Sequence, residues 1–317
     1  MTHVPSWVIG SSGLLGRHVT ASLRRQGNQV LTTRVPWHDP ERARAALVSG
    51  IGALAEAAEG GRWNVAWCAG AGVVSTPEST LLAEATLFEA FLDDLAGSPL
   101  SVRDGAVFLA SSAGGVYAGS SSRAPFTESS PVGPLVAYGR VKMRMEAAVQ
   151  AFAEGTGAAA LVARIANLYG PGQDLAKPQG LISQLCRTQV TGEPLVVYVP
   201  VDTMRDYVYA DDCGNLIATG LAGLRRQVEG LDSRTVVKIV ASGQCTTIGY
   251  LISETSRQYK KRPRVVVKAP REGSGQVVDL RLRSTVWTDL DSHLRTPLSI
   301  GIARTAEDVG AQIRRRA

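Results

Sequence analysis

The stretch Trp7-Val8-Ile9-Gly10-Ser11-Ser12-Gly13-Leu14-Leu15-Gly16 decides the fold. A short apolar run is followed by three glycines in the spacing Gly-x-x-Gly-x-x-Gly, and apolar residues then recur at Leu15, Val19 and Leu23 until Gly27. This pattern predicts a buried strand, a tight turn and an amphipathic helix over 14–26.

Each glycine of that turn has a separate task. Gly10 permits the sharp bend, Gly13 lets the backbone approach a pyrophosphate, and Gly16 lets the helix lie close to the sheet. The amide groups at the helix start, at Leu14 and Leu15, face the anion. The turn therefore predicts a dinucleotide phosphate site, with an ordinary glycine-rich turn as the alternative.

Strands and helices alternate after the glycine turn. Apolar strand-like segments follow at 30–33, 65–69 and 107–110, and an alanine-rich helical stretch separates the first two. Alternation of this kind predicts an α/β fold with a doubly wound parallel sheet. Ligands bind at the carboxyl edge of such a sheet, where the turn 111–119 is rich in serine and glycine.

A second motif, Tyr138-x-x-x-Lys142, lies on a segment with helical periodicity over 138–152. One helical turn separates the two residues, so they face the same way. A nearby ammonium favours the ionised form of a phenol, which makes the pair a candidate for proton transfer. Lys142 can also hydrogen-bond a nicotinamide ribose. A surface Tyr/Lys pair is the alternative, and the glycine turn upstream argues against it.

Six blocks of sequence follow one another along the chain. They are 9–16, 111–117, 125–128 (Pro-Phe-Thr-Glu), 138–142 (Tyr-Gly-Arg-Val-Lys), 164–172 (Arg-Ile-Ala-Asn-Leu-Tyr-Gly-Pro-Gly) and 205–212 (Arg-Asp-Tyr-Val-Tyr-Ala-Asp-Asp). In this order they resemble the extended short-chain dehydrogenase/reductase family, in its nucleotide-sugar epimerase/dehydratase/ketoreductase branch. The resemblance covers nearly the whole length. It implies a Rossmann domain at 1–171 plus 204–241 and a smaller α/β substrate-binding lobe at 172–203 plus 242–317.

The resemblance also implies the catalytic residues. Tyr138 is the acid/base, and Lys142 holds both Tyr138 and the cofactor ribose. The catalytic hydroxyl is Ser112, with Ser111 as the fallback, because Ala113 stands where many relatives have a serine or threonine. A serine at position 112 that only caps the turn is the alternative.

Substrate and cofactor residues follow from the same resemblance. Asn167 contacts the substrate and Arg205 grips its diphosphate, since a guanidinium fork suits phosphate oxygens. Arg271 is similar to a second diphosphate arginine, with an exposed loop arginine as the alternative, and Ser112 and Tyr117 complete the substrate set. The predicted cofactor-binding residues are Gly10, Gly13, Leu14, Leu15, Gly16, Arg34, Ala69, Lys142 and Ile165.

The end of the second strand predicts the cofactor. The segment Thr32-Thr33-Arg34 has no acidic residue before Asp39. An acid there would bind the ribose 2′-hydroxyl of NAD, whereas an arginine accommodates the 2′-phosphate of NADP. We therefore expect NADP(H), with Arg34 on the phosphate, although NAD is possible and a solvated loop arginine is the alternative.

NADPH taken from solution favours a ketoreductase. The alternatives are a 4-epimerase with tightly bound NAD and a non-catalytic NAD(P)-binding sensor or scaffold.

Two departures from the family narrow the chemistry, and a third bears on local geometry. Gly114-Gly115 stand where the 4,6-dehydratases carry Asp-Glu, and Gly115 stands where the 3,5-epimerase-reductases need a cysteine. Dehydration and double epimerisation are therefore not expected. Asparagine is absent from 65–166, so the helix over 81–95 lacks the structural asparagine that relatives commonly place there.

Composition excludes several other classes. The net charge of +6 is spread over short basic runs, which argues against a nucleic-acid partner. The four cysteines and four histidines show no metal-ligand spacing, so no metal is expected. Without a signal peptide or a long apolar run, the sequence predicts a cytoplasmic protein with no membrane partner. The resemblance suggests a homodimer packed through the helix of Tyr138 and the helix before it.

Overall fold

The computed structural model describes residues 3–70, 72, 76–101, 104–177, 179–268 and 277–316. The strands are β1 (Ser6–Ile9), β2 (Val30–Thr32), β3 (Trp63–Trp67), β4 (Gly105–Ser112), β5 (Ala159–Ile165), β6 (Asn167–Tyr169), β7 (Leu195–Val197), β8 (Met204–Arg205), β9 (Tyr207–Tyr209), β10 (Thr235–Val240), β11 (Thr246–Thr247), β12 (Val265–Val267) and β13 (Asp279–Leu280). The helices are α1 (Leu14–Arg25), α2 (Pro40–Ala58), α3 (Glu78–Ala96), α4 (Ala113–Tyr117), α5 (Ala137–Thr156), α6 (Leu181–Thr191), α7 (Ala210–Gln227), α8 (Ile248–Tyr259) and α9 (Leu298–Arg316), with a 3₁₀ turn at Thr288–His293.

Six parallel strands form the central sheet in the order β10-β5-β4-β3-β1-β2. Helices cover both faces. Along β1, Trp7 and Ile9 point into the core beneath α2, α3 and α5, while Val8 points into the core beneath α1 and α7. Alternate residues of a strand face opposite sides, so a strand buried on both faces is mostly apolar. The predicted doubly wound α/β fold is confirmed.

The edge of this sheet differs from the common doubly wound order 3-2-1-4-5-6. The chain leaves β2 and passes through α2 directly to β3, which pairs with the other side of β1. Among the described residues, β2 therefore pairs only with β1 and forms the sheet edge. The segment after β2, residues 33–39, contacts β1 through Thr33 and β3 through Trp37.

Smaller sheets build the remainder of the molecule. A three-stranded sheet has the order β11-β8-β13, and two further parallel pairs join β12 to β7 and β6 to β9. Side chains of α6, α8 and α9 pack together in a separate core with Tyr169, Tyr207 and Tyr209. The strand predicted at 236–241 is β10 and joins the central sheet, whereas β8, with Arg205, pairs with β11 and β13.

None of the helices within the described ranges is long and apolar enough to cross a membrane.

Candidate active site

The glycine turn between β1 and α1 has the geometry of a phosphate site. Gly10 has a φ of +83°, and a Cβ there would lie 2.7 Å from the Cα of Ala69. A Cβ on Gly16 would lie 2.1 Å from the carbonyl oxygen of Gly10. Gly13 is the N-cap residue of α1, and within the described part of the chain no side chain caps this helix and no acidic residue occupies its first turn. The amides at the start of α1 therefore suit an anion such as a pyrophosphate.

The segment after β2 presents Arg34 outward. The Oγ1 of Thr33 accepts a hydrogen bond from Trp7 Nε1 at 3.1 Å, while Arg34 is exposed. Asp39, the first acidic residue after β2, caps α2 by accepting a hydrogen bond from the amide of Arg42 at 3.1 Å. The carboxylate of Asp39 is thus engaged at a helix start, and the side chain of Arg34 is accessible to a ligand.

Trp37, in the segment after β2, is a residue that the sequence interpretation missed. Its side chain is 46% exposed, and its ring lies edge-on to the buried ring of Trp67, with the centroids 6.1 Å apart. Trp67 is the last residue of β3 and precedes the predicted cofactor residue Ala69 by two positions. A tryptophan just after a predicted strand was the available signal, because large aromatic side chains are usually buried or held against a partner.

Tyr138 and Lys142 lie one turn apart near the start of α5, as predicted. Tyr138 is half-buried, Lys142 is buried, and the Lys142 Nζ is 5.9 Å from the centroid of the Tyr138 ring. The Tyr138 ring packs against Gly115, where a Cβ would lie 3.1 Å from the ring. A Cβ on Gly139 would lie 2.0 Å from the carbonyl oxygen of Gly115. These two glycines let α5 approach α4 closely, and so carry Tyr138 to the carboxyl end of β4.

Ser112 ends β4 and caps α4. Its Oγ accepts a hydrogen bond from the amide of Gly115 at 3.1 Å, while its own hydroxyl hydrogen stays available as a donor. Capping and catalysis are therefore compatible at this residue. Ser111 points elsewhere, because its hydroxyl is buried and donates to Glu146 at 2.5 Å. This geometry supports Ser112 over Ser111 as the candidate catalytic hydroxyl.

A buried ionic cluster, here called the Arg164 cluster, consists of Ser111, Tyr117, Glu146 and Arg164. Arg164 pairs with Glu146 at 2.7 Å and donates to the Tyr117 hydroxyl at 2.7 Å. Tyr117 is fully buried, and burial raises the pKa of its phenol although the Arg164 guanidinium opposes this. The structure thus places Tyr117, predicted as a substrate residue, in the core, because its hydroxyl completes this cluster.

The pairing of β6 with β9 places Asn167 beside Asp206, the neighbour of Arg205 in the chain. The Asn167 side-chain amide donates to the carbonyl oxygen of Asp206 at 2.9 Å. Arg205 is half-buried, donates to the carbonyl oxygen of Met204 at 2.8 Å, and has its pKa lowered by burial. Asn167 follows Ile165 by two residues, and Ile165 is the register partner of Ser112. The two predicted substrate residues therefore lie beyond the same end of the sheet as the candidate catalytic residues.

Asp206 supports this region and was not singled out from the sequence. It is buried, and its Oδ1 accepts hydrogen bonds from the amide of Ser242 at 2.7 Å and from the Ser242 hydroxyl at 3.0 Å. Burial raises the pKa of Asp206 to about 6. Because Ser242 follows β10, this contact ties the strand end next to Arg205 to the edge of the central sheet.

Glu84 of α3 is a third residue that sequence reasoning missed. Its Oε1 lies 3.2 Å from the Nζ of Lys142. The absence of asparagine from this helix was the signal in the sequence. Only the packing of the helices shows that Glu84 lies beside Lys142. Arg271, the predicted second diphosphate arginine, lies outside the described residues.

Comparisons with known proteins show what the chain is similar to. A family model described as the NAD dependent epimerase/dehydratase family matches residues 7–232. The chain is 25% identical over 177 residues to dTDP-4-dehydro-6-deoxyglucose reductase of Escherichia coli, which is 55% of this chain and 53% of that protein. It is 28% identical over 167 residues to dTDP-glucose 4,6-dehydratase of Xanthomonas campestris pv. campestris, which is 51% of this chain and 47% of that protein.

The chain spans about half the length of these curated relatives. Among solved structures, a UDP-glucose 4-epimerase with UDP-glucose from Thermotoga maritima is similar over 98% of this chain and 100% of that one. The TM-score is 0.78 at 20% identity. This likeness shows a shared fold.

Proposed function

The chain belongs to the NAD dependent epimerase/dehydratase family, a family of enzymes, and we propose that it is an NAD(P)-dependent oxidoreductase acting on a nucleotide-diphosphate sugar. We further propose that it is a ketoreductase. The observation that carries the proposal is that the Tyr138 ring, beside Lys142, packs against Gly115 of the helix that Ser112 caps, at the end of the sheet beyond which Asn167 and Arg205 lie. Proton-transfer groups and a phosphate-binding cation at one edge suit reduction of an anionic sugar substrate.

The residues divide the chemistry between them. A bound nicotinamide would supply the hydride. Tyr138 would donate its proton to the carbonyl oxygen of the keto-sugar, and Ser112 would donate a hydrogen bond to that oxygen. Lys142 would stabilise the tyrosinate that this transfer leaves, while Asn167 and Arg205 would hold the sugar diphosphate.

The cofactor proposal concerns the edge at β2. The turn of Gly10, Gly13 and Gly16 fits a pyrophosphate, and the exposed Arg34 fits a 2′-phosphate because Asp39 is engaged in capping α2. The exposed face of Trp37 offers an apolar surface for an adenine beside it. We therefore propose NADP(H) as the cofactor.

The predicted homodimer is also a proposal. Helices α3 and α5 lie side by side, with exposed Leu82 on α3 and exposed Ala147 and Ala151 on α5. These small and apolar residues would let the same two helices of a second copy approach closely.

Analysis of the nucleotide carried by the purified protein tests the function. Denaturation of the purified protein should release little nucleotide. The folded protein should bind added NADPH in preference to NADH. Release of stoichiometric NAD⁺ would instead favour a 4-epimerase that retains its cofactor and would overturn the ketoreductase proposal.

The substitution Arg34→Ala tests the cofactor proposal. Loss of a charge-assisted hydrogen bond costs about 1.5–3 kcal/mol, so NADPH affinity should fall about tenfold to hundredfold while NADH affinity stays the same. Arg24→Ala is the matched control, because Arg24 is an exposed arginine at the far end of α1. Equal losses for both dinucleotides by titration calorimetry would contradict the assignment.

A further inference from the structure

The ion pair between Glu84 and Lys142 is nearly enclosed. The Lys142 side chain is 6% exposed and the Glu84 side chain 16% exposed. The backbone of Gly70, in the turn after β3, covers the pair, since a Cβ there would lie 3.2 Å from the Glu84 Oε1 and 3.4 Å from the Lys142 Nζ. Water screens such a pair poorly, so the charge on Glu84 acts strongly on its surroundings.

Few other groups face Lys142. From its own helix, Tyr138 lies near, and the Sδ of Met145 is 3.8 Å from the Nζ. Within the described part of the chain, Glu84 is therefore the acidic group that we find against Lys142 from outside α5.

The remaining acid of α5 near this point is already neutralised. Glu146 lies one turn beyond Lys142, and its carboxylate pairs with Arg164 and accepts from Ser111. Its charge is thus balanced within the Arg164 cluster. Glu84 is therefore the acid that offsets the positive charge of Lys142 beside Tyr138.

We propose that Glu84 is a positioning residue that offsets the charge of Lys142 and so keeps Tyr138 protonated to higher pH than Lys142 alone would allow. A lone ammonium beside a phenol favours the phenolate, and a carboxylate 3.2 Å from that ammonium opposes the effect. The ion pair also holds the Lys142 side chain in one direction. The consequence for catalysis rests on the proposed function, because a protonated Tyr138 is the form that donates to a keto-sugar.

The test is a spectrophotometric titration of tyrosinate in the full-length protein, without substrate or cofactor. Subtracting the curve of Tyr138→Phe from that of the parent isolates the ionisation of Tyr138. The same difference is then recorded in the Glu84→Gln background. Removal of the carboxylate charge should move the midpoint of the Tyr138 titration to lower pH by about one unit, a tenfold change in its ionisation constant.

Two further variants make the result specific. Glu84→Asp keeps the charge and should titrate close to the parent. Glu89→Gln is the matched control on the same helix, because Glu89 is paired with Arg144 on the surface and not with Lys142. Its midpoint should not move.

An unchanged or raised midpoint in folded Glu84→Gln would overturn the proposal. If that variant does not fold, Glu84→Met takes its place under the same expectation, because methionine also removes the charge and fills much of the same space. Since no substrate enters the titration, a failure of the ketoreductase proposal would leave this result intact. If both hold, reduction by Glu84→Gln should decline at lower pH than reduction by the parent.

Discussion

Replacing Arg164 by methionine removes the cation of the Arg164 cluster and leaves a buried carboxylate without a counter-charge. Arg164 lies on β5 and Glu146 on α5, and their side chains are 8% and 7% exposed. Methionine is long, unbranched and apolar, so it fills much of the vacated space. The change therefore tests the electrostatics of the cluster more than its packing.

The expected loss of stability follows from this burial. Breaking a buried ion pair by removing one partner costs about 3–5 kcal/mol, and water screens a pair this deeply buried very little. For a chain of 317 residues, an unfolding entropy of about 2.1 cal/mol/K per residue converts that loss into a fall in Tm of about 5–8 °C. Activity should also fall, because the cluster holds Ser111, the neighbour of Ser112.

Urea denaturation at two pH values measures both the size and the cause of the effect. The unpaired Glu146 can lose its charge only by binding a proton, so the folded variant binds more protons than the unfolded chain. Its stability should consequently fall as pH rises, and the deficit against the parent should be smaller at about pH 5 than at about pH 8. The double variant Glu146→Gln, Arg164→Met removes the stranded charge and should recover about 2 kcal/mol.

A deficit below about 1 kcal/mol at neutral pH would refute the assignment of Arg164 as an essential buried partner. A deficit of equal size at both pH values, with no recovery in the double variant, would show that lost packing and not the stranded charge causes the instability.

Two further perturbations probe the glycine turn and the support of Arg205. Gly16→Ala should abolish NADPH binding by calorimetric titration, because its Cβ would lie 2.1 Å from the Gly10 carbonyl oxygen; Gly52→Ala, with no heavy atom within 4 Å of its Cβ, should bind normally. Binding by Gly16→Ala at parental affinity would contradict the close packing of the turn. The pKa of Asp206 is raised by burial to about 6, above its unfolded value, so this residue favours folding at low pH and that contribution is lost as pH rises through about 6. Asp206→Asn should remove about 2 kcal/mol of this pH dependence in urea denaturation between about pH 4 and pH 7, and an unaltered pH dependence would contradict the burial of this carboxyl group.

Local sequence patterns were sufficient to predict the helices and the glycine turn. The helix predicted over 14–26 is observed at Leu14–Arg25, and the helix predicted over 138–152 lies within Ala137–Thr156. Glycine spacing and helical periodicity report conformations that neighbouring residues enforce, and so they can be interpreted without knowledge of distant contacts. The resemblance to the extended short-chain dehydrogenase/reductase family is confirmed. Its blocks are short and contiguous, so they too can be recognised without knowledge of distant contacts.

Tertiary structure decided what each side chain of those blocks contacts. Tyr117 belongs to a conspicuous turn, yet its hydroxyl meets Arg164, which lies 47 residues later in the chain. Glu84 and Lys142 are 58 residues apart and meet only because α3 packs against α5. Likewise, β2 is a sheet edge because the chain returns to β3 on the other side of β1.

The physical reason is the range of the forces involved. Steric limits on the backbone and the burial of apolar residues act through neighbours in sequence, and they determined the strands, the helices and the glycine turn of this protein. Buried charges must be paired, and their partners come from whichever element packs opposite. The identity of those partners, at Lys142 as at Arg164, therefore became visible only once the helices and the sheet were assembled.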